Sequence, residues 1–359
     1  MPKRNYYGLI LAGGRGTRFW PRSRKSRAKQ VLSFLGERTL IQQTVDRLAP
    51  VIPPERMWVI TNDHLRAEIV RQLPEVPKKQ IVAEPAQRNT APCIALMAQV
   101  IETMDPGSVM GVFPADHMIS KPGRFVRLVK AALKAAEKGQ IGVLGVQPRW
   151  PETGYGYIEM SRDAKAGETK PTEVVRFREK PDLKTAKKFV AAGNFYWNAG
   201  MFFWRTDVLL QAIRRFQPKT ATLLASLPAF DSRKFGNALS QAFPLCENIS
   251  IDYAVLEKAD NVVGIAADDF GWSDVGSWNA VHELLPRDEF DNALATEALI
   301  AEATGNYVDA NGKLVALLGV KDLIVVDTPD ALLIADRHRA QDVGKLVKML
   351  EERKREDLL

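Results

Sequence analysis

The residues best suited to chemistry lie near the start of the chain, where an apolar run ends in Leu11-Ala12-Gly13-Gly14-Arg15-Gly16-Thr17-Arg18. Gly13, Gly14 and Gly16 let the backbone turn tightly and bring its N–H groups against an anion without Cβ interference. Seven cations, Arg15, Arg18, Arg22, Arg24, Lys25, Arg27 and Lys29, fall between positions 15 and 29 with no acid among them. The whole chain holds 50 basic and 43 acidic residues, so outside this cluster the charges balance. That pattern describes a local anion site rather than a basic coat, and no nucleic-acid partner is expected. The loop is not a dinucleotide fingerprint, because the third glycine would fall on Phe19, and not a Walker A loop, because no Lys-Ser or Lys-Thr follows. Arg18 and Lys29 suit a triphosphate whose bridging oxygens gain charge as pyrophosphate departs.

Other candidates are scattered along the chain. Asp116 follows an apolar run at the position where open α/β sheets bind ligands, and Asp274 precedes Gly276; each is a carboxylate for a hard cation, or the cap of a turn. Glu179-Lys180-Pro181 sets an anion beside a cation, a pair suited to the hydroxyls and phosphate of a sugar phosphate, or simply to a surface ion pair. His64, His117, His282 and His338 show no metal-ligand spacing with Cys93 or Cys246. Those two cysteines lie far apart and outside any CxxC, so neither a disulfide framework nor a zinc site is expected and a reducing cytoplasm fits.

These groups need a scaffold, and the chain has the length and composition for one. At 359 residues it suggests two domains, and 46% apolar with 26% charged residues excludes general disorder. No apolar run reaches the ~18 residues that span a bilayer, so no membrane partner is expected. Through the first 270 or so residues short apolar strands alternate with helical segments. Strands are expected at 7–12, 57–60, 80–83, 109–113 and 141–146, with helices at 40–48, 64–73, 91–104 and 124–138. This is the pattern of a doubly wound, mostly parallel α/β sheet. The expected division is 1–287 for this unit and 288–359 for a small β-rich one. In the latter, Asn311-Gly312 signals a hairpin between 307–308 and 314–318, Thr328-Pro329-Asp330 a second turn, and Val343, Leu346, Val347 and Leu350 a closing helix. The final EERKREDLL reads as a frayed, solvated end.

Taken together, Gly13-Gly14-x-Gly16-Thr17-Arg18-x-Trp20-Pro21-x-Ser23-Arg24 and Lys29-Gln30 resemble the signature of the mannose-1-phosphate guanylyltransferases, within the sugar nucleotidyltransferases. Further matching blocks follow in family order. They are Glu84-Pro85-Ala86-Gln87-Arg88-Asn89-Thr90-Ala91-Pro92, Pro114-Ala115-Asp116-His117, Thr153-Gly154-Tyr155-Gly156-Tyr157-Ile158, Phe177-x-Glu179-Lys180-Pro181, Trp197-Asn198-Ala199-Gly200-Met201-Phe202, Ser250-Ile251-Asp252-Tyr253-Ala254 and Gly271-Trp272-Ser273-Asp274-Val275-Gly276-Ser277-Trp278. One departure is Ala28, where the family usually has proline before the Lys-Gln pair. The resemblance implies GTP and mannose 1-phosphate as substrates, Mg2+ on Asp116 and Asp274, and catalysis by Arg18, Lys29, Asp116, Lys180 and Asp274. It implies nucleotide contacts from Gly13, Gly14, Gly16 and Thr17, with Arg88, Asn89 and Thr90 at the base, and a sugar-phosphate pocket of Gly154, Gly156, Glu179, Lys180 and Asn198. It also implies a left-handed β-helix-like C-terminal element and a homodimer. The main alternatives are a nucleotidyltransferase for another hexose 1-phosphate or nucleoside triphosphate, and a silent sugar-nucleotide sensor.

Overall fold

The structure is a computed structural model and describes residues 4–359. In chain order the larger unit contains the strands β1 (Tyr6–Leu11), β2 (Met57–Thr61), β3 (Ile81–Ala83), β4 (Val109–Pro114), β5 (Met118–Ile119), β6 (Ile141–Val146), β7 (Tyr157–Met160), β8 (Thr172–Arg178), β9 (Phe195–Arg205), β10 (Val262–Ala267) and β11 (Trp272–Ser273). Interleaved with them are helices α1 (Leu40–Leu48), α2 (Asp63–Gln72), α3 (Thr90–Met104) and α4 (Pro122–Glu137). These follow the expected boundaries closely because the caps are local. Thr39 and Gln42 close a reciprocal capping box before α1, and Asn62 accepts from the Leu65 N–H at the start of α2.

Nine strands form one sheet in the order β3-β2-β1-β4-β9-β6-β10-β8-β7. The β3-β2-β1-β4 side is parallel, as expected of βαβ units. Most strands share one direction, β6 and β10 also pairing in parallel, but antiparallel strands are inserted among them. Strand β9 runs antiparallel between β4 and β6, and β8 and β7 extend that half in antiparallel pairings. A strand's side-chain pattern carries no sign of its direction, so periodicity could not reveal this insertion. Each face of the sheet is covered by an apolar layer, one including Ile94, Ile101 and Trp204, the other including Val45, Phe125 and Phe203. Trp197, Phe202, Phe203 and Trp204, all on β9, are buried in these layers.

The smaller unit holds the strands β12 (Ala293–Leu294), β13 (Ala298–Ala301), β14 (Tyr307–Asp309), β15 (Val315–Leu318), β16 (Leu323–Asp327) and β17 (Leu332–Asp336), and the closing helix α5 (Val343–Glu352). Ala293, Tyr307 and Ile324 stack in parallel register on one face, and β13 pairs in parallel with β15 on another. These stacked parallel coils correct the hairpin expected at Asn311-Gly312, because β14 and β15 belong to different sheets. The dipeptide makes a corner, with Gly312 at φ +73°, and a coil corner demands the same positive φ as a hairpin turn. The second expected turn does join antiparallel partners, β16 and β17.

The chain's end also differs from its expectation. Leu359 is buried, the Lys25 N–H donates to its carbonyl at 3.1 Å, and Trp20 Nε1 donates to the Leu358 carbonyl at 3.0 Å. Arg15 pairs with Glu351 at 2.6 Å and Lys25 with Glu356. The chain end is therefore anchored at Leu358 and Leu359 beside Trp20 and Lys25 rather than frayed, while residues 352–357 stay exposed.

Candidate active site

The loop 13–17 leaves β1 at the carboxyl end of the parallel strands, and its two kinds of backbone group face opposite ways. Its carbonyls turn inward. Gln30 Nε2 donates to the Ala12 and Gly14 carbonyls at 2.7 and 3.0 Å, Thr61 Oγ1 to Ala12, and Ser23 Oγ to Gly16 at 2.8 Å. The N–H groups of Gly13, Gly14, Arg15 and Gly16 donate to no protein group among the described residues. A row of unpaired N–H groups with the acceptors tied back is a built anion cradle. Gly16 is indispensable to it, with φ +60° and a Lys29 Cβ only 2.6 Å from where its own Cβ would stand.

Lys29 ties this loop to both candidate aspartates. Its side chain is 7% exposed, and its ammonium donates to Asp116 Oδ2 at 2.8 Å and to the Asp274 carbonyl at 2.6 Å. The β5–β11 antiparallel pair, Trp272 opposite Ile119 and Ser273 opposite Met118, brings the two aspartates together from distant parts of the chain. Ala28 does not loosen this arrangement. It is buried and holds φ −70°, ψ 166°, a conformation proline would also adopt. Burial pushes the Asp116 carboxyl up, but Lys29 and then His117 outweigh it, and the group stays below its ordinary value. His117 is lowered to about 4, chiefly by burial, and accepts a hydrogen bond from Trp272 Nε1 at its Nδ1 (3.2 Å), so it is neutral at pH 7. Tyr155 O–H donates to Asp274 Oδ1 at 2.6 Å; burial first, and that carboxylate second, raise the Tyr155 pKa strongly.

Whether these residues suit a divalent cation follows from their chemistry. The described residues contain no group of three or more His, Cys, Asp or Glu able to cage a metal. The Asp116 carboxylate, held by the Lys29 ammonium, and the Asp274 carboxylate, held by the Tyr155 hydroxyl, are hard oxygen donors, and Mg2+ characteristically takes one or two carboxylates and completes its shell with phosphate and water. The set fits Mg2+ bound together with a nucleotide.

A second cluster forms around β7 and β9. Asn198 Nδ2 donates to Asp252 Oδ1 at 2.8 Å, the Asn198 N–H donates to the Gly156 carbonyl, and a Cβ on Gly156 would lie 2.3 Å from Glu179 Oε2. Burial, reinforced by Glu179, raises Asp252 to about 6. Gly154 and Lys180 stand at the exposed rim of this cluster. Lys180 has φ +45° and its ammonium is 3.5 Å from Glu179.

Between the loop and α3 lies a cavity of ~880 Å³ whose lining includes Gly13, Gly14, Gly16, Thr17, Asn89, Thr90 and Asp116. Arg18 is exposed and outside that lining; Arg15 lines the cavity instead. Arg88 also lies outside it, donating to the Pro244 carbonyl. Thr90 Oγ1 accepts from the Ile251 N–H, and Asn89 caps α3 through the Thr90 N–H. Sequence reasoning missed Glu84, Gln87 and the α5 residues Val347, Lys348 and Glu351, which line the same cavity, and the roles of Tyr155 and Asp252. Glu84, Tyr155 and Asp252 stood inside recognised blocks, but nothing local in the sequence marks the approach of α5.

An open α/β sheet with an anion cradle and an acidic pair at its carboxyl edge is the arrangement of a nucleotide-handling transferase. Residues 7–289 match the family Nucleotidyl transferase, residues 297–350 match the MannoseP isomerase/GMP-like beta-helix domain, and the chain belongs to the nucleotidyl transferases. The mannose-1-phosphate guanylyltransferase of Klebsiella pneumoniae is 38% identical over 355 residues, 97% of this chain and 74% of that protein. The alginate biosynthesis protein AlgA of Pseudomonas aeruginosa is also 38% identical, over 97% of this chain and 73% of its own length. A crystal structure described as a mannose-1-phosphate geranyltransferase from Thermus thermophilus superposes with a TM-score of 0.84 at 32% identity, covering 97% of this chain and 99% of that one. Within the nucleotidyl transferases, this chain is a member of the mannose-1-phosphate guanylyltransferase family.

Proposed function

We propose that the chain joins GTP and α-D-mannose 1-phosphate to give GDP-mannose and pyrophosphate. The observation that carries this is the single ammonium of Lys29 binding both Asp116 and the Asp274 backbone beside four unpaired loop N–H groups. The loop amides hold the triphosphate. A phosphate oxygen of the sugar substrate attacks the α-phosphorus in line, a new P–O bond forms, and the bond to the β-phosphate breaks with its electron pair leaving on pyrophosphate. Lys29 lies where that charge develops, Arg18 contributes from the rim, and Lys180 meets the sugar phosphate. Glu179 and Asn198 orient the hydroxyls, and the absence of a side chain at Gly154 and Gly156 admits them closely. Asp116 and Asp274 would hold Mg2+, which would supply neutralisation of the phosphate charge.

The division 1–287 and 288–359 serves this reading, with the reacting groups in the first part and, in the second, coils for assembly and α5 residues that line the cavity. Leu318, Leu332 and Ile334 are more than half exposed on the coils, an apolar surface that favours a homodimer. Buried, unpaired Cys93 and Cys246 favour the cytoplasm. The direct test is Asp116→Asn: turnover should fall sharply and the Mg2+ concentration for half-maximal rate should rise, while wild-type turnover at limiting Mg2+ would remove Asp116 from the site.

A further inference from the structure

The closing helix α5 has two working faces. Val343 packs into the core that Phe19 and Trp278 share. Gly344, Val347, Lys348 and Glu351, spaced i, i+3, i+4 and i+7 and therefore on one side of the helix, form a wall of the nucleotide cavity. That wall stands over the 15–17 end of the glycine-rich loop. A Cβ on Gly344 would lie 3.6 Å from Thr17 Oγ1, and Glu351 pairs with Arg15 at 2.6 Å.

Two of the residues lining the cavity are cations, Arg15 and Lys348. Arg15 is engaged by Glu351, and Arg15 first, with Lys25 and Lys348 adding less, holds that carboxyl below its ordinary value. Lys29, behind the loop, is engaged by Asp116 and the Asp274 carbonyl. Lys348 is exposed at the rim and enters no ion pair among the described residues. Its neighbour Lys345, off the cavity wall, does have a partner, Asp342 at 2.7 Å. The one lining cation without a counterion thus belongs to the second unit of the chain and overlooks the anion cradle of the first.

On the proposed reaction the attacked α-phosphorus lies toward Asp116 and Asp274, and the β- and γ-phosphates extend along the loop amides beneath α5. An ammonium on a flexible four-carbon stem is a point charge that can reach such phosphates and form charge-assisted hydrogen bonds with them. We propose that Lys348 binds the β- and γ-phosphates of the nucleotide and then the departing pyrophosphate, so that α5 completes the triphosphate site from the C-terminal unit. The assignment rests on the proposed GTP reaction and deepens it.

The test measures KM in both directions, GTP with mannose 1-phosphate forward and GDP-mannose with pyrophosphate in reverse, for the full chain and its K348M, K348Q, K348R and K345M variants. K348M should raise KM for GTP and for pyrophosphate about tenfold each, the lower end for a hydrogen bond to a charged group because the ammonium is exposed. KM for mannose 1-phosphate and GDP-mannose, neither of which carries the departing pyrophosphate, should stay within about twofold. K348Q should behave as K348M does, so the outcome does not hinge on the folding of one variant. K348R should restore both raised values, and K345M should match wild type. A merely structural role would move all four KM values together. Unchanged KM for GTP and pyrophosphate in folded K348M, a rise for GTP without one for pyrophosphate, or an equal rise for GDP-mannose would overturn the assignment. If wild type turned over in neither direction, the reaction itself would be wrong, which is distinct from an active wild type indifferent to Lys348.

Discussion

Replacing Lys29 by methionine tests the junction on which the site depends, because methionine keeps much of the stem's volume and removes the charge. Two hydrogen bonds are lost, to Asp116 Oδ2 and to the Asp274 carbonyl, together with an approach of the ammonium to within 5.7 Å of the Phe19 ring centre. Breaking a fully buried ion pair costs about 3–5 kcal/mol. The Asp116 side chain retains 37% exposure, so water takes over part of the lost interaction and about 1–2 kcal/mol is expected. The pH dependence has a definite sign. Asp116 sits below its ordinary pKa in the folded chain because of Lys29 and His117, so its contribution to stability is present above the usual carboxylate range and is lost as pH falls through the depressed value. The deficit of the variant should therefore be largest near neutrality and shrink toward pH 3. The loss in rate should be much greater, about 10²- to 10³-fold in kcat, as for removal of one preorganised donor at developing charge. Denaturant unfolding at pH 7 and pH 3.5, paired with pyrophosphate release, reads both quantities. A folded variant within threefold of wild-type kcat would refute the role given to Lys29.

Tyr155→Phe should leave the fold intact and lower kcat about tenfold, because Asp274 loses the 2.6 Å hydrogen bond that orients it; an unchanged kcat at limiting Mg2+ would count against that role. Asp252→Asn should stabilise the chain at pH 8, by up to about 3 kcal/mol, since ionising a carboxyl raised to about 6 is unfavourable in the folded state. That gain should vanish near pH 4, where the wild-type carboxyl is protonated, and a gain of equal size at both pH values would refute the explanation. Removing 343–359 should raise KM for GTP about tenfold with less effect on mannose 1-phosphate, because the loop loses the contacts of Arg15, Trp20 and Lys25 with the tail. Equal changes in both KM values would argue against a local role for the tail.

What the sequence made legible were features with short-range causes. The parallel strands and their helices announced themselves through periodicity and caps, and the loop 13–17 through its clustered glycines, of which Gly16 holds a positive φ that other residues adopt less easily. The direction of Phe195–Arg205 stayed hidden because side-chain alternation is the same in parallel and antiparallel strands. Asn311-Gly312 misled because the positive φ it supplies serves a coil corner and a hairpin alike. The docking of Leu359 beside Lys25 joins the two ends of the chain, and Tyr155 meets Asp274 across more than a hundred residues. Such long-range contacts leave no mark on local composition.

The most direct test of the account is pyrophosphate release by the purified full chain across a grid of nucleoside triphosphates and hexose 1-phosphates, with and without a chelator. The account predicts release with GTP and mannose 1-phosphate well above every other pair, abolished by the chelator and restored by Mg2+. Absence of release from any pair by folded protein, or release that survives the chelator, would contradict it.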